Sequence, residues 1–128
     1  MKNVFIASII FISTLTNSAK AQFCFDPAIK LGEGINAKSL CSGDFNEDGK
    51  TDLAIICWGV TDNLIILTGT GTGTFNLDTA IDIGALPSSI CAADLNNDHH
   101  TDLACTMSGP GIVKLLTGDG AGHFTTIT

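Results

Sequence analysis

The sequence predicts an all-β fold, two four-stranded antiparallel sheets in tandem. Three observations carry that expectation. The chain repeats itself at a spacing near 50 residues, its apolar segments are short and rich in Ile, Leu, Val and Thr, and turn residues interrupt them at intervals typical of strands. Composition agrees: 14 Gly, no Tyr, 45% hydrophobic and only 15% charged residues describe a globular chain rather than a disordered one. At 128 residues there is room for one domain.

The repeat is read directly from aligned residues. Phe25 falls on Phe75, Leu31 on Ile81, Gly34 on Gly84 and Cys41 on Cys91. Asp44-Phe-Asn46-Glu-Asp48-Gly49-Lys-Thr51-Asp52-Leu53-Ala54 falls on Asp94-Leu-Asn96-Asn-Asp98-His99-His-Thr101-Asp102-Leu103-Ala104. Leu67-Thr-Gly69-Thr-Gly71-Thr-Gly73-Thr-Phe75 matches Leu116-Thr-Gly118-Asp-Gly120-Ala-Gly122-His-Phe124 with one residue lost near Ser108 to Pro110. A period of this size marks a propeller blade or a solenoid unit.

Strands are expected in the first unit at 27–31, 37–43, 52–58 and 63–68, and in the second at 78–83, 88–93, 102–107 and 111–117. The 37–43 segment stops at Gly43, before the acidic loop. The run Leu53-Ala-Ile-Ile-Cys-Trp58 is apolar on both faces, so it suits a strand covered by neighbours on each side. A helix competes for this run, but six apolar residues between Asp52 and Gly59 are too few for one. The 63–68 strand ends in the Gly-Thr alternation of 69–74. That alternation lacks the Gly-Lys-Ser/Thr ending and the following helix of a phosphate loop, and reads as a flexible turn. The second unit repeats these boundaries.

Residues 1–21 read as a secretory signal peptide: Lys2, the apolar run Val4 to Ile12, then Ala19-Lys20-Ala21 as a small-x-small cleavage pattern. Nine apolar residues are about half of what a membrane-spanning helix needs, so no membrane span is expected. Cleavage after Ala21 removes two lysines and takes the net charge from −7 to −9. An acidic chain of this kind lacks the basic face of a nucleic-acid binder. Residues 22–128 then hold two repeats, about 25–75 and 75–124.

Cys24, Cys41, Cys57, Cys91 and Cys105 remain in that part. None forms a Cys-x-x-Cys pair, which disfavours a zinc ribbon or thioredoxin-like site, and an oxidising compartment permits disulfides. Hairpins centred on the acidic loops would make Cys41 and Cys57, and Cys91 and Cys105, cross-strand neighbours, with registers that differ by two residues.

The acidic loops carry the expected chemistry. Asp44, Asn46, Asp48 and Asp52 occupy loop positions 1, 3, 5 and 9, with Gly49 at position 6 and the carbonyl of Lys50 at position 7. Alternate side chains can turn their oxygens inward while glycine lets the backbone reverse. Hard oxygen donors in this number select Ca²⁺ over Mg²⁺ and over transition metals. Asp94, Asn96, Asp98, His100 and Asp102 repeat the set, with His99 in the glycine position, so two calcium sites are expected, the second weaker. Falling pH should weaken that second site first as the histidines charge. Neither loop is an EF-hand or a dockerin loop, since position 12 is Ile55 or Cys105 rather than Glu, and a strand pattern follows.

With these residues in hand, the chain from Phe25 to Phe124 resembles the FG-GAP/VCBS repeats of integrin-like β-propellers. Gly43-Asp44-Phe45-Asn46-Glu47-Asp48-Gly49-Lys50-Thr51-Asp52-Leu53-Ala54, Leu64-Ile-Ile-Leu-Thr-Gly and Gly73-Thr-Phe75 carry the resemblance in order. Ile56-Cys57-Trp58 stands where the integrin form has Gly-Ala-Pro, which is closer to the bacterial VCBS-like branch. The resemblance implies propeller-like blades forming a partial propeller, with calcium in the hairpin loop within each blade. A closed propeller needs about 4–8 blades. The expectation is therefore a piece of a longer protein, with further blades in the same chain or from other copies.

The function expected is a secreted or cell-surface calcium-binding module that is structural, adhesive or ligand-binding, with an extracellular protein or glycan as partner. The alternative is an accessory, non-catalytic piece of a secreted hydrolase or other extracellular enzyme. No catalytic activity is expected, since Ser108, His99 and Asp98 lack a nucleophile-elbow context and the acidic residues gather in the loops rather than face a cleft. Two adjacent histidines, His99 and His100, are a poor transition-metal pair.

Overall fold

The computed structural model describes residues 36–59, 63–84 and 86–127. The expected signal peptide, Cys24 and the strand expected at 27–31 lie outside the described residues. Strands β1 (Asn36–Gly43), β2 (Asp52–Trp58), β3 (Leu64–Gly69) and β4 (Phe75–Ile81) form one antiparallel sheet in chain order. Strands β5 (Pro87–Ala93), β6 (Asp102–Met107), β7 (Ile112–Gly118) and β8 (Phe124–Ile127) form a second of the same order. The fold class expected from the sequence, all-β with two four-stranded antiparallel sheets, is the one observed. Among the described residues no helix is long and apolar enough to cross a membrane.

The grouping of strands differs from the expectation. The segment expected at 78–83 to open the second unit is β4, and it closes the first sheet by pairing with β3, Leu64 opposite Ile81 and Gly69 opposite Phe75. The Gly-Thr turn decides this. The Thr70 amide donates to the Thr74 carbonyl at 3.0 Å and the hydroxyls of Thr70, Thr72 and Thr74 bond one another. A closed turn of that kind returns the chain alongside β3 rather than sending it to a new sheet. The equivalent turn after Gly118 returns β8 onto β7, a strand the sequence reading did not place. Between the sheets the chain leaves β4 through buried Ile83, whose amide donates to Asn63 Oδ1 at 3.0 Å while Asn63 Nδ2 donates to the Gly84 carbonyl.

The core lies between the two sheets. Ala54 and Ile56 of β2 and Leu64 and Ile66 of β3 pack against Ile90, Leu103, Cys105, Met107 and Leu116 of the second sheet. Each fully buried Ile or Leu of this kind contributes about 1.5–3 kcal/mol relative to exposure. The alternate residues of the first sheet, Ile55, Cys57, Ile65 and Leu67, form a second buried cluster on its opposite face. Both faces of β2 are therefore buried, as its unbroken apolar run requires. Polar contacts add to the sheet-to-sheet interface. Trp58 Nε1 donates to the Pro87 carbonyl at 2.7 Å, Lys114 Nζ to the Ile83 carbonyl at 2.9 Å, and the Ile90 amide to Ser39 Oγ at 3.4 Å.

The cysteine registers correct the expectation. Cys41 lies opposite Ala54 and Cys57 opposite Ala37, while Cys91 lies opposite Ala104 and Cys105 opposite Ile90. The two hairpins share one register, Gly43 with Asp52 and Ala93 with Asp102, because each acidic loop is closed at its ninth residue rather than centred on its sixth. Cys41 and Cys57 consequently serve opposite faces of the sheet. Cys41, Cys57, Cys91 and Cys105 are free thiols, and only Cys91 is exposed. Burial, helped by neighbouring cysteines, pushes the Cys105 thiol up to about 12, and burial with Cys91 nearby pushes Cys41 up to about 11. Burial also raises Cys57. Thiolate is the reactive form, so among these four only Cys91 should react promptly with a disulfide reagent in the native chain. Peptide mapping after timed labelling checks this; rapid native labelling of Cys105 would contradict the packing.

Candidate functional site

Both acidic loops join the first and second strands of their sheets, β1 to β2 and β5 to β6. In the first, the Asp44 carboxylate accepts the amides of Asp48 at 3.1 Å and Gly49 at 2.8 Å. Asn46 Oδ1 accepts the Asp48 amide at 3.1 Å, and Asp48 Oδ1 accepts the Lys50 amide at 2.9 Å. Position 6 takes a left-handed backbone, Gly49 φ 80°, as the spacing anticipated. Position 4 does so as well, Glu47 φ 57°, which the sequence did not announce, since Glu carries no preference for that region.

The second loop follows the same plan. Asp94 accepts the amides of Asn97 at 2.7 Å and His99 at 3.0 Å, Asn96 Oδ1 that of Asp98, and Asp98 Oδ1 that of His100, the last two at 2.8 Å. Asn97 has φ 62° and His99 φ 75°. His99 thus adopts the conformation that glycine takes in the first loop, at a steric cost glycine avoids.

Asp52 and Asp102, the ninth positions, are buried at 0% and 1% exposure. Asp52 Oδ2 accepts the Phe45 amide at 2.9 Å and Oδ1 the Gly69 amide at 2.8 Å. Asp102 accepts the amides of Leu95 at 2.9 Å and Gly118 at 3.0 Å. Each carboxylate ties its loop to the end of the sheet's third strand. The approach is so close that a Cβ at Gly69 would lie 2.0 Å from the Thr51 carbonyl oxygen, and one at Gly118 2.3 Å from that of Thr101. This accounts for glycine closing the third strand of both sheets.

The charges differ between loops. Lys50 Nζ lies 2.6 Å from Asp48 Oδ2, and its hydrogen bond holds the Asp48 carboxyl below the usual range. Asp98 is also lowered, first by the His100 amide and then by Asn96. His100 instead turns to the other loop, its Nδ1 2.6 Å from Glu47 Oε1, and that hydrogen bond raises its pKa. The charged pair is fully formed below about pH 6.5 and is lost as pH rises through the raised value. Its partners are 53 residues apart in sequence, so only the stacking of the two sheets reveals it.

The two loops also differ in cover. The Gly118–Phe124 turn of the second sheet lies against the first loop: the Gly122 amide donates to the Phe45 carbonyl at 2.9 Å, and Phe45 and Phe124 meet edge to face at 5.5 Å. Phe45 is 3% exposed, whereas Leu95, its equivalent, is 46% exposed. Asp119 in that turn is held below the usual range, first by the Ala121 amide and then by His123.

The donor chemistry suits a hard divalent cation: three carboxylates, one amide oxygen and one carbonyl in each nine-residue loop, with the Asp, Asn and backbone groups already gathered into one turn. Among the described residues, no three Asp, Glu, His or Cys side chains alone converge to hold a metal ion. Amide and carbonyl oxygens must complete such a set. Asp52 and Asp102 each accept two backbone amides and keep further lone pairs free.

Comparison with known proteins agrees with the loop geometry. A search of curated proteins and a search of solved structures found no match. A family model does match, and it covers the first acidic loop, the remainder of the first sheet and the second loop as far as Cys105. Residues 44–105 match the FG-GAP-like repeat, in agreement with the resemblance read from the sequence, and that repeat suggests a β-propeller type of module.

Proposed function

We propose that this chain is a secreted calcium-binding repeat module with a structural, adhesive or ligand-binding role and no catalysis of its own. Asp44, Asn46, Asp48, Lys50 through its carbonyl and Asp52 would hold the first ion; Asp94, Asn96, Asp98, His100 through its carbonyl and Asp102 the second. Calcium would neutralise carboxylates that otherwise repel across a short loop. The observation that carries this reading is the repetition of one loop conformation in both sheets, maintained in the second although it places His99 at φ 75°. Keeping that conformation without glycine carries a steric cost, which a bound ion would offset.

The same observation predicts unequal sites. Holding a non-glycine residue at positive φ costs on the order of 1 kcal/mol, close to a fivefold loss of affinity. Calcium titration of Asp94→Ala, which leaves the first loop, should give about fivefold tighter binding than titration of Asp44→Ala, which leaves the second. His99→Gly should recover most of the difference. Equal affinities, with no effect of His99→Gly, would remove the glycine argument. Absence of any binding up to about 10 mM, beyond the range of extracellular calcium modules, would remove the calcium reading itself.

A further inference from the structure

Glu47, at the fourth position of the first loop, holds a left-handed backbone, φ 57°. Asn97 holds the same conformation at the fourth position of the second loop, φ 62°. Asn tolerates that region and Glu has no preference for it, so the first loop carries a residue that its own backbone does not require. A residue that departs from its local preference commonly serves a contact elsewhere. The Glu47 side chain does leave its loop: Oε1 lies 2.6 Å from Nδ1 of His100, in the loop of the other sheet. His100 is the seventh residue there, and Lys50 is its counterpart in the first loop. Each rests beside a glycine of the turn after the third strand. A Cβ at Gly71 would lie 3.2 Å from Lys50 Cδ, and one at Gly120 would lie 2.5 Å from His100 Nδ1 and 2.8 Å from Glu47 Oε1. Each also meets a carboxylate. Lys50 turns back to Asp48 of its own loop, at 2.6 Å. His100 takes Glu47 from the neighbouring loop instead, while its amide donates to Asp98 Oδ1 at 2.8 Å.

We propose that Glu47 is a positioning residue for the second loop, reaching across the seam between the sheets to hold His100 in the conformation that presents its carbonyl to an ion there. The inference rests on the calcium reading of the loops. His100 serves the second donor set twice, through its own carbonyl at position 7 and through the amide that orients Asp98. A ring fixed between Glu47 and Gly120 restrains the backbone that bears both groups. Ordering completed before the ion arrives does not oppose its binding. The second loop has the greater need of such support, since His99 sits at φ 75° without the freedom of Gly49. The segment bearing Glu47 is itself held against the second sheet, because the Gly122 amide donates to the Phe45 carbonyl at 2.9 Å. His100 and Glu47 are 36% and 53% exposed in their side chains. An exposed pair has a modest effect, about two- to fivefold in affinity.

Calcium titration of the full chain, followed at the amide resonances of Gly49 and His99, reads the two loops separately. Glu47→Asn gives the first loop the residue that the second has at that position, and its side chain falls one methylene short of His100. The expected result is a second loop weakened about two- to fivefold, a first loop unchanged or tighter, and a melting temperature in chelator that is kept. Glu47→Gln, which retains an acceptor oxygen at the same reach, should keep the parent affinity. His100→Ala, whose carbonyl remains, should show the same loss as Glu47→Asn, and the two together should lose no more than either alone. Equal affinity of the second loop in the parent and in Glu47→Asn would overturn the proposal. So would a loss read at Gly49 alone, which would make Glu47 a residue of its own loop, or a loss with Glu47→Gln as large as with Glu47→Asn, which would make its effect one of charge rather than position. If neither amide responds to calcium in the parent, the calcium reading falls and the inference falls with it; if both respond and Glu47→Asn changes nothing, the inference falls alone.

Discussion

Thermal melts of this chain in calcium and in chelator should separate by roughly 10–20 °C. Binding to the folded form alone adds about 2.7 kcal/mol for one site at a hundredfold excess over Kd. For a domain this small, 1 kcal/mol moves the midpoint by about 4–8 °C. Extracellular calcium modules have Kd on the order of 10⁻⁴–10⁻³ M, so several millimolar calcium is the condition to use. Asp44→Ala should remove the larger part of the separation and Asp94→Ala the smaller. Coincident melts of the parent chain would reject the calcium reading while leaving the fold untouched.

Asp52→Ala should destabilise the chain by about 2–6 kcal/mol even in chelator. The substitution strands the buried amides of Phe45 and Gly69, each worth about 1–3 kcal/mol when left without a partner. Asp102→Ala should cost about half as much, since the amides it strands, Leu95 and Gly118, are only part-buried. Denaturant unfolding without calcium separates this structural role from any ligand role. If Asp52→Ala unfolds like the parent in chelator, the carboxylate is not the tie that the geometry describes. The measurement also guards the calcium experiments: Asp52 and Asp102 are poor positions for testing ligation, because their loss disturbs the frame, whereas Asp44 and Asp94 lie at the loop surface.

Much of this architecture was legible before any coordinates. The strands β2, β3, β6 and β7 are apolar runs bounded by Asp and Gly, and both boundaries have physical causes: a buried carboxylate opens one strand, and a close backbone approach allows only glycine at the end of the next. The left-handed backbone at loop position 6 was legible for the same reason. What sequence could not supply was pairing across space. The strands β4 and β8 carry no fully buried residue, so their hydrophobic pattern is weak, and their place follows from turn closure instead. The cysteine registers failed because the hairpin axis was set on the glycine, while the bond from the Phe45 amide to Asp52 moves it. The Glu47–His100 pair and the Phe45–Phe124 contact join residues of different sheets. Only Phe45 left a trace, as an aromatic inside an acidic loop where solvent would favour a polar residue.

That aromatic has a mechanical consequence. Phe45 stands between Asp44 and Asn46, and its ring is the wedge on which the second sheet rests. Pulling the two sheets apart must draw the ring out, and the ring cannot leave without dragging the flanking loop open. Loop and seam therefore yield together under load. Whatever stiffens the loop raises the force at which the seam parts, so a module built this way resists shear at its interface with a latch located at its rim.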